Sequence, residues 1–196
     1  SKSDFSFLNN FYLLEAGARL NVYEVSYGGG VLASYHMGVA AGEESRTVFE
    51  PVFMAYGDSK IDLQYIARVK SARSQAIIDG TGVVMDRGHS IFRGTVDLKK
   101  GSRGATGKEH SSVMVLSREA RTDAIPSLLV DENEVNASHA ATVGSLDEEK
   151  IFYLMSRGLT REEALKFIIK GTFDPVLGKV VELFPDHSRG LDRVFA

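Results

Sequence analysis

The chain has 196 residues, of which 43% are hydrophobic and 25% charged, with 23 basic against 26 acidic side chains. That length suits one domain with an appended element, and a formal charge of −3 is too balanced to predict a nucleic-acid partner. Cysteine is absent, which excludes disulfides, zinc–thiolate sites and a nucleophilic thiol within this chain.

The start, Ser1-Lys2-Ser3-Asp4-Phe5, has neither the charged nor the apolar region of a signal peptide. No apolar run reaches the ~20 residues that a membrane-crossing helix needs, so the expectation is a soluble, cytoplasmic protein with no membrane partner. From Phe11 to Val143 the pattern is a succession of short β-rich runs. The predicted strands are Phe11 to Leu14, Arg19 to Ser26, Val31 to Met37, Thr47 to Ala55, Ile61 to Val69, Gln75 to Ile78, Ile91 to Leu98, Val113 to Ser117, Ser127 to Val130 and Val135 to Val143. Predicted breaks fall at Gly17, Gly28-Gly29-Gly30, Gly42, Gly57-Asp58, Gly80-Thr81-Gly82, Gly101 and Gly104. This spacing fits a sandwich, a barrel or an irregular parallel β-helix, and pattern alone leaves the three open. Asp79-Gly80 is the one dipeptide of hairpin type.

If Val135 to Val143 is a strand, Val135, Ala137, His139, Ala141 and Val143 share one face. An imidazole then stands among apolar neighbours, and the two alanines leave it room. A lone histidine on a strand is ordinarily a hydrogen-bonded packing residue, and the five histidines show no metal-ligand spacing among themselves. The tract Gly101 to Glu109 imitates a phosphate loop but lacks its first glycine and its hydroxyl residue, so it reads as a solvated turn. Gly28 to Ala33 fits the loose dinucleotide pattern, yet strand rather than helix follows it, so it reads as a corner. Arg68, Lys70, Arg73 and the Lys99-Lys100 pair read as solvated strand edges.

After Gly144 the pattern becomes helical. Ser145 to Glu148 reads as a capping box before Ile151, Phe152, Leu154 and Met155, with Gly158 as the stop. Thr160 to Glu163 repeats the device before Ala164, Leu165, Phe167, Ile168 and Ile169, closed by Gly171. Asp174-Pro175 starts a third helix, and His187 to Phe195 a last segment. The domain expectation is therefore a β core over 1–144 and a helical segment over 145–196.

Ile91-Phe92-Arg93-Gly94, Lys100-Gly101, Ser138-His139-Ala140-Ala141-Thr142-Val143-Gly144, Leu146-Asp147-Glu148-Glu149 and Phe152-Tyr153-Leu154-Met155-Ser156-Arg157-Gly158 carry a resemblance. Together they resemble the C-terminal part of the SufB/SufD family of iron–sulfur cluster assembly scaffolds. The resemblance implies a right-handed parallel β-helix core followed by a C-terminal helical segment, which decides among the three architectures. It implies a non-catalytic subunit that dimerises with a SufB-like relative or a second copy and docks a SufC-like ABC ATPase through its helices. Full-length members carry more chain at the N-terminus, so a C-terminal fragment or a short member is expected.

The SufD-like branch fits best. Ser111 stands nearest the position of a cluster-nucleating cysteine in the SufB-like branch, and Ala140 replaces the glutamate that branch places after the shared histidine. His139 matches that histidine. By resemblance it is the cluster-assembly residue at the subunit interface and a metal ligand completed by a partner's groups. This chain alone would bind no cofactor, and the cluster would be transient in the complex. Phe152, Tyr153, Arg157, Arg161, Glu162 and Phe167 are the expected ATPase-docking residues. The competing classes are a carbohydrate-active β-helix enzyme, whose acidic groups could only be Asp58, Asp62, Asp79 and Asp86, and a self-associating scaffold without a cluster role.

Overall fold

The computed structural model describes residues 4–28 and 30–183. Ten strands come first: β1 (Phe5–Leu14), β2 (Arg19–Gly28), β3 (Val31–Ala40), β4 (Arg46–Ala55), β5 (Lys60–Val69), β6 (Gln75–Val84), β7 (His89–Leu98), β8 (Thr106–Val115), β9 (Arg121–Val130) and β10 (Asn136–Ser145). Two helices follow, α1 (Glu148–Ser156) and α2 (Arg161–Leu183). Odd strands form one parallel sheet in the order β1-β3-β5-β7-β9 and even strands the other, β10-β8-β6-β4-β2. Each strand thus pairs with the strand one coil later, as in Leu63↔Phe92 or Phe49↔Ile78. The result is a parallel β-solenoid of about five coils, as the resemblance implied, rather than a sandwich or a closed barrel.

Alternation fills the interior. In β5 the buried Ile61, Leu63, Tyr65, Ala67 and Val69 alternate with less buried neighbours, which is the two-residue period of a strand with one face inside. Aromatic rings stack along the axis, His36 on Tyr65 at 5.1 Å, Tyr65 against Phe92 at 5.8 Å and Phe53 on Phe92 at 5.7 Å. Each fully buried ring of this kind contributes about 1.5–3 kcal/mol through burial alone.

The corners stack as well, with little sequence repetition. Gly17, Glu44, Arg73 and Gly104 all hold φ between 55° and 71°. Their amides donate to the next coil at Glu43, Ala72, Arg103 and Glu134 respectively. That shared hydrogen bond offsets much of the cost of about 1–2 kcal/mol for a left-handed non-glycine residue. A corner conserved in geometry can therefore be Gly, Glu or Arg, which hides the repeat from the sequence.

Several expected boundaries move. β6 runs straight through Gly80-Thr81-Gly82, read above as a break, because the glycines make room for rings: a Cβ at Gly80 would lie 2.3 Å from Phe92, and one at Gly82 would lie 2.2 Å from Phe53. β8 starts at Thr106, so the second half of the supposed solvated turn is strand, with Gly107 and Glu109 facing inward. β1 and β9 begin earlier than expected, at Phe5 and Arg121, because pairing with β3 and β7 extends them.

The chain divides into two compact units, 1–144 and 145–196. In the second, Asp147 rather than Ser145 caps α1, accepting from the amides of Glu149 and Lys150, since Ser145 still belongs to β10. Thr160 and Glu163 form the expected reciprocal box, with Thr160 N to Glu163 Oε2 at 2.7 Å and Glu163 N to Thr160 Oγ1 at 3.2 Å. Gly171 and Pro175 do not divide the next helix. Ile169, Phe173, Val176 and Leu177 form one buried stripe across both, and its burial outweighs the amide lost at Pro175. The expected segment from His187 to Phe195 lies outside the described residues.

Candidate functional site

The solenoid interior is more polar at two levels than its hydrophobic pattern suggests. In the first three coils Glu24 is the centre of a closed network. Ser26 Oγ donates to it at 2.5 Å, Ser34 Oγ at 2.9 Å and Tyr65 Oη at 2.7 Å, and His36 Nε2 lies 2.7 Å away. Burial alone would raise the Glu24 carboxyl, but the donors from His36, Ser26, Tyr65 and Ser34 together hold it below its ordinary range. Burial and the adjacent carboxylate push the Tyr65 phenol well above its own. With four side chains within 2.9 Å of the Glu24 carboxylate, this network reads as structure.

Glu109 in the fourth coil is the opposite case. It is 2% exposed, and neither carboxylate oxygen has a hydrogen-bond partner. Ser111, two residues on along the same inward face, is also buried with an unpartnered hydroxyl. Burial pushes the Glu109 carboxyl up to about 7, moderated by the nearby His110 and Ser111. The space it occupies is reserved by Gly94 of β7, where a Cβ would lie 2.6 Å from Oε1. The sequence reading passed over Glu109 by placing it in a turn. The alternation Gly107, Glu109, Ser111, Val113 was the signal that could have found it.

His139 is on β10, the outermost strand of its sheet, and is exposed. Its level follows from the pairing. Asn136 N donates to Ala105 O at 3.0 Å, as Thr106 N donates to Ser74 O where Thr106 is paired with Gln75. Asn136 is thus level with Thr106, and three residues on His139 is level with Glu109. Both positions share the inward parity of their strands. His139 accordingly stands at the open end of the inward column, next to Ala137, which packs on the core. Among the described residues no group of three or more His, Cys, Asp or Glu side chains could hold a metal ion.

The other expected site residues lie in the second unit. Phe152, Tyr153 and Phe167 are exposed, and Tyr153 and Phe167 line one open groove of about 520 Å³ with Leu154 and Ile168. The Arg157 guanidinium sits 5.2 Å over the Tyr153 ring. Arg161 makes a bidentate pair with Glu148 at 2.8 Å for each bond, tying the start of α2 to α1, and Glu162 pairs with Lys166 at 3.5 Å.

The acidic series on the outer surface is engaged between coils. Asp58 pairs with Arg87 at 2.6 Å, Asp79 with His110 at 2.9 Å, and Asp62 with Arg93, while Asp86 accepts from the Gly57 amide at 2.9 Å. Carboxylates held in this way do not form the opposed acid–base pair that glycoside cleavage needs. Arg68, Lys99 and Arg73, expected to be solvated edges, also bond to acidic neighbours: Arg68 and Lys99 both to the buried Asp97, at 2.7 and 3.0 Å, and Arg73 to Glu43 and Glu44. No described helix is long and apolar enough to cross a membrane.

Comparison with known proteins agrees with this architecture. Residues 1–172 match the family described as "SUF system FeS cluster assembly, SufBD core domain". The chain is 42% identical over 107 residues to the iron–sulfur cluster assembly protein SufD of Bacillus subtilis, a stretch covering 55% of this chain and 24% of that protein. It is 31% identical over 196 residues to a SufBD family protein of Methanothermobacter thermautotrophicus, covering 96% of this chain and 43% of that one. A SufBD family protein of Pyrococcus horikoshii is 32% identical over 136 residues, covering 69% and 30%. The chain thus spans less than half the length of these relatives. The match over residues 1–172 places this solenoid of paired parallel coils in the SufBD core family of iron–sulfur cluster assembly proteins.

Proposed function

We propose that the chain is a non-catalytic scaffold in iron–sulfur cluster assembly, presenting His139 at an interface formed by the last coil of the solenoid. The observation that carries this reading is the place of His139: exposed, on an edge strand, at the end of the inward column. Edge strands pair readily with another chain, and Ile125, Leu129, Val130 and Val143 add exposed apolar surface to the same coil. The partner is a SufB-like relative or a second copy. It must supply any thiolate, because this chain has none. Neutral imidazole then serves as an iron ligand.

An ABC-type ATPase docks on the helices in this reading, with the exposed Phe152 and the groove-lining Tyr153 and Phe167 as aromatic anchors. The test is complementation in cells lacking the native gene, with His139→Ala compared with wild type. Loss of cluster assembly with folding and partner binding intact supports the reading. Full assembly by the variant overturns it.

A further inference from the structure

Single unpartnered polar atoms occur inside this solenoid, among them Thr47 Oγ1, Ser102 Oγ and Ser111 Oγ. Glu24 has its four neighbours, and the corner serines Ser45, Ser71 and Ser74 bond to each other and to backbone, as Ser71 Oγ does to Gly42 O at 2.6 Å. Among the described residues, Glu109 alone has two unpartnered atoms, both carboxylate oxygens, at 2% exposure. An unpaired buried carboxyl is unfavourable in either protonation state, and such groups in native proteins call for a specific explanation. The fold also makes room for this one, since Gly94 keeps the facing position empty.

Its surroundings identify the missing partner. The β8–β10 pairing puts His139 level with Glu109 on the adjacent strand, and neighbouring strands lie only about 4.8 Å apart. Two side chains on one face at that spacing can converge on a single ion. One offers a hard carboxylate oxygen and the other an imidazole nitrogen, a set suited to a divalent first-row metal such as iron(II). A divalent cation would also neutralise the carboxylate and replace the donors it lacks.

Resting on the reading of His139 given above, we propose that Glu109 is a second ligand from this chain, so that Glu109 and His139 together form a half-site for iron(II) before it enters a cluster. Two ligands do not close a coordination sphere; water and groups of the partner subunit complete it. Iron(II) here is cargo that is handed on, and an open half-site suits release better than a closed cage does.

The test is cobalt(II) titration of the full chain under anaerobic conditions, followed by visible absorption and calorimetry, and repeated with iron(II). Wild type is compared with His139→Ala and Glu109→Gln, each first shown by circular dichroism to melt cooperatively. Glu109→Gln keeps the shape but loses the charge. The proposal expects each variant to weaken binding at least about tenfold and to change the cobalt absorption bands. A Glu109→Gln protein that binds as wild type does, while His139→Ala does not, overturns the role of Glu109 and leaves that of His139 standing. Unaltered binding by His139→Ala, or no binding by wild type, overturns the half-site. Complementation by His139→Ala, scored separately, decides whether the reading beneath it fails too.

Discussion

Tyr65 Oη donates to Glu24 Oε2 at 2.7 Å across 41 residues of sequence, fastening the first coil to the third through the solenoid interior. This contact makes the core sensitive to acid. Glu24 is held below its ordinary range in the folded chain, so its contribution is present above the unfolded carboxyl value near 4.5 and is lost as pH falls through the lower folded value. Tyr65→Phe removes one donor and keeps the ring. It should destabilise the chain by about 1–3 kcal/mol at pH 7, with the penalty shrinking as pH falls through the lowered folded value of Glu24. Urea unfolding of both proteins at pH 7 and at a pH low enough to protonate folded Glu24 measures this. A penalty that is the same at both values would mean that packing, and not the hydrogen bond, is what the hydroxyl supplies.

The glycines of β6 offer a test of how the core is packed. Gly82→Ala would put a methyl group 2.2 Å from Phe53, and Gly80→Ala would put one 2.3 Å from Phe92, so stacked rings must move in both cases. Overpacking of this kind typically destabilises by about 1–3 kcal/mol. Gly82→Ala combined with Phe53→Leu should recover part of the loss, because the smaller side chain returns space. Thermal melts of the two single variants and the double variant check it, and strictly additive losses would argue against steric coupling.

These glycines also mark what the sequence could and could not convey. Alternation in β5 and the change of pattern after Gly144 are local, so the strands and helices were legible. Gly80 and Gly82 are glycine because of Phe92 and Phe53, which belong to other coils, and a local reading takes them for a turn. The corner sequence Gly17, Glu44, Arg73, Gly104 hides a repeat that exists only in φ and in backbone hydrogen bonds. Pro175 was legible as a helix start, but the buried stripe through Phe173 and Val176 overrides it. His139 was reached through its apolar neighbours and the resemblance. Glu109 was missed because two glycines, Gly104 and Gly107, set it in what looked like loop.

The helical unit calls for different variants from those its charges first suggest. Arg161 holds α2 to α1 through Glu148, so reversing its charge disturbs that junction as well as any docking face. Phe152 and Phe167 are cleaner probes, being 74% and 62% exposed. Phe152→Asp and Phe167→Asp should leave the melting temperature within a few degrees of wild type and weaken capture of the ABC-type ATPase by about tenfold or more each. Capture at the wild-type level by both would move the docking face elsewhere.

Both ends of the solenoid expose apolar side chains, Phe5, Phe7, Phe11 and Leu13 on β1 and Ile125 and Leu129 on β9, yet the proposed interface uses only the β9–β10 end. A lysine in the middle of an interface brings a charge that must be desolvated, whereas a lysine on a free edge strand discourages pairing at little cost. Leu129→Lys should therefore shift the chain towards monomer, or break its complex with a SufB-like relative, in sedimentation velocity at micromolar concentration. Phe7→Lys, at the opposite end, should leave that association unchanged. The reverse pattern would move the interface to β1 and separate it from His139, because β1 and β10 are outermost in different sheets at opposite ends of the coil stack.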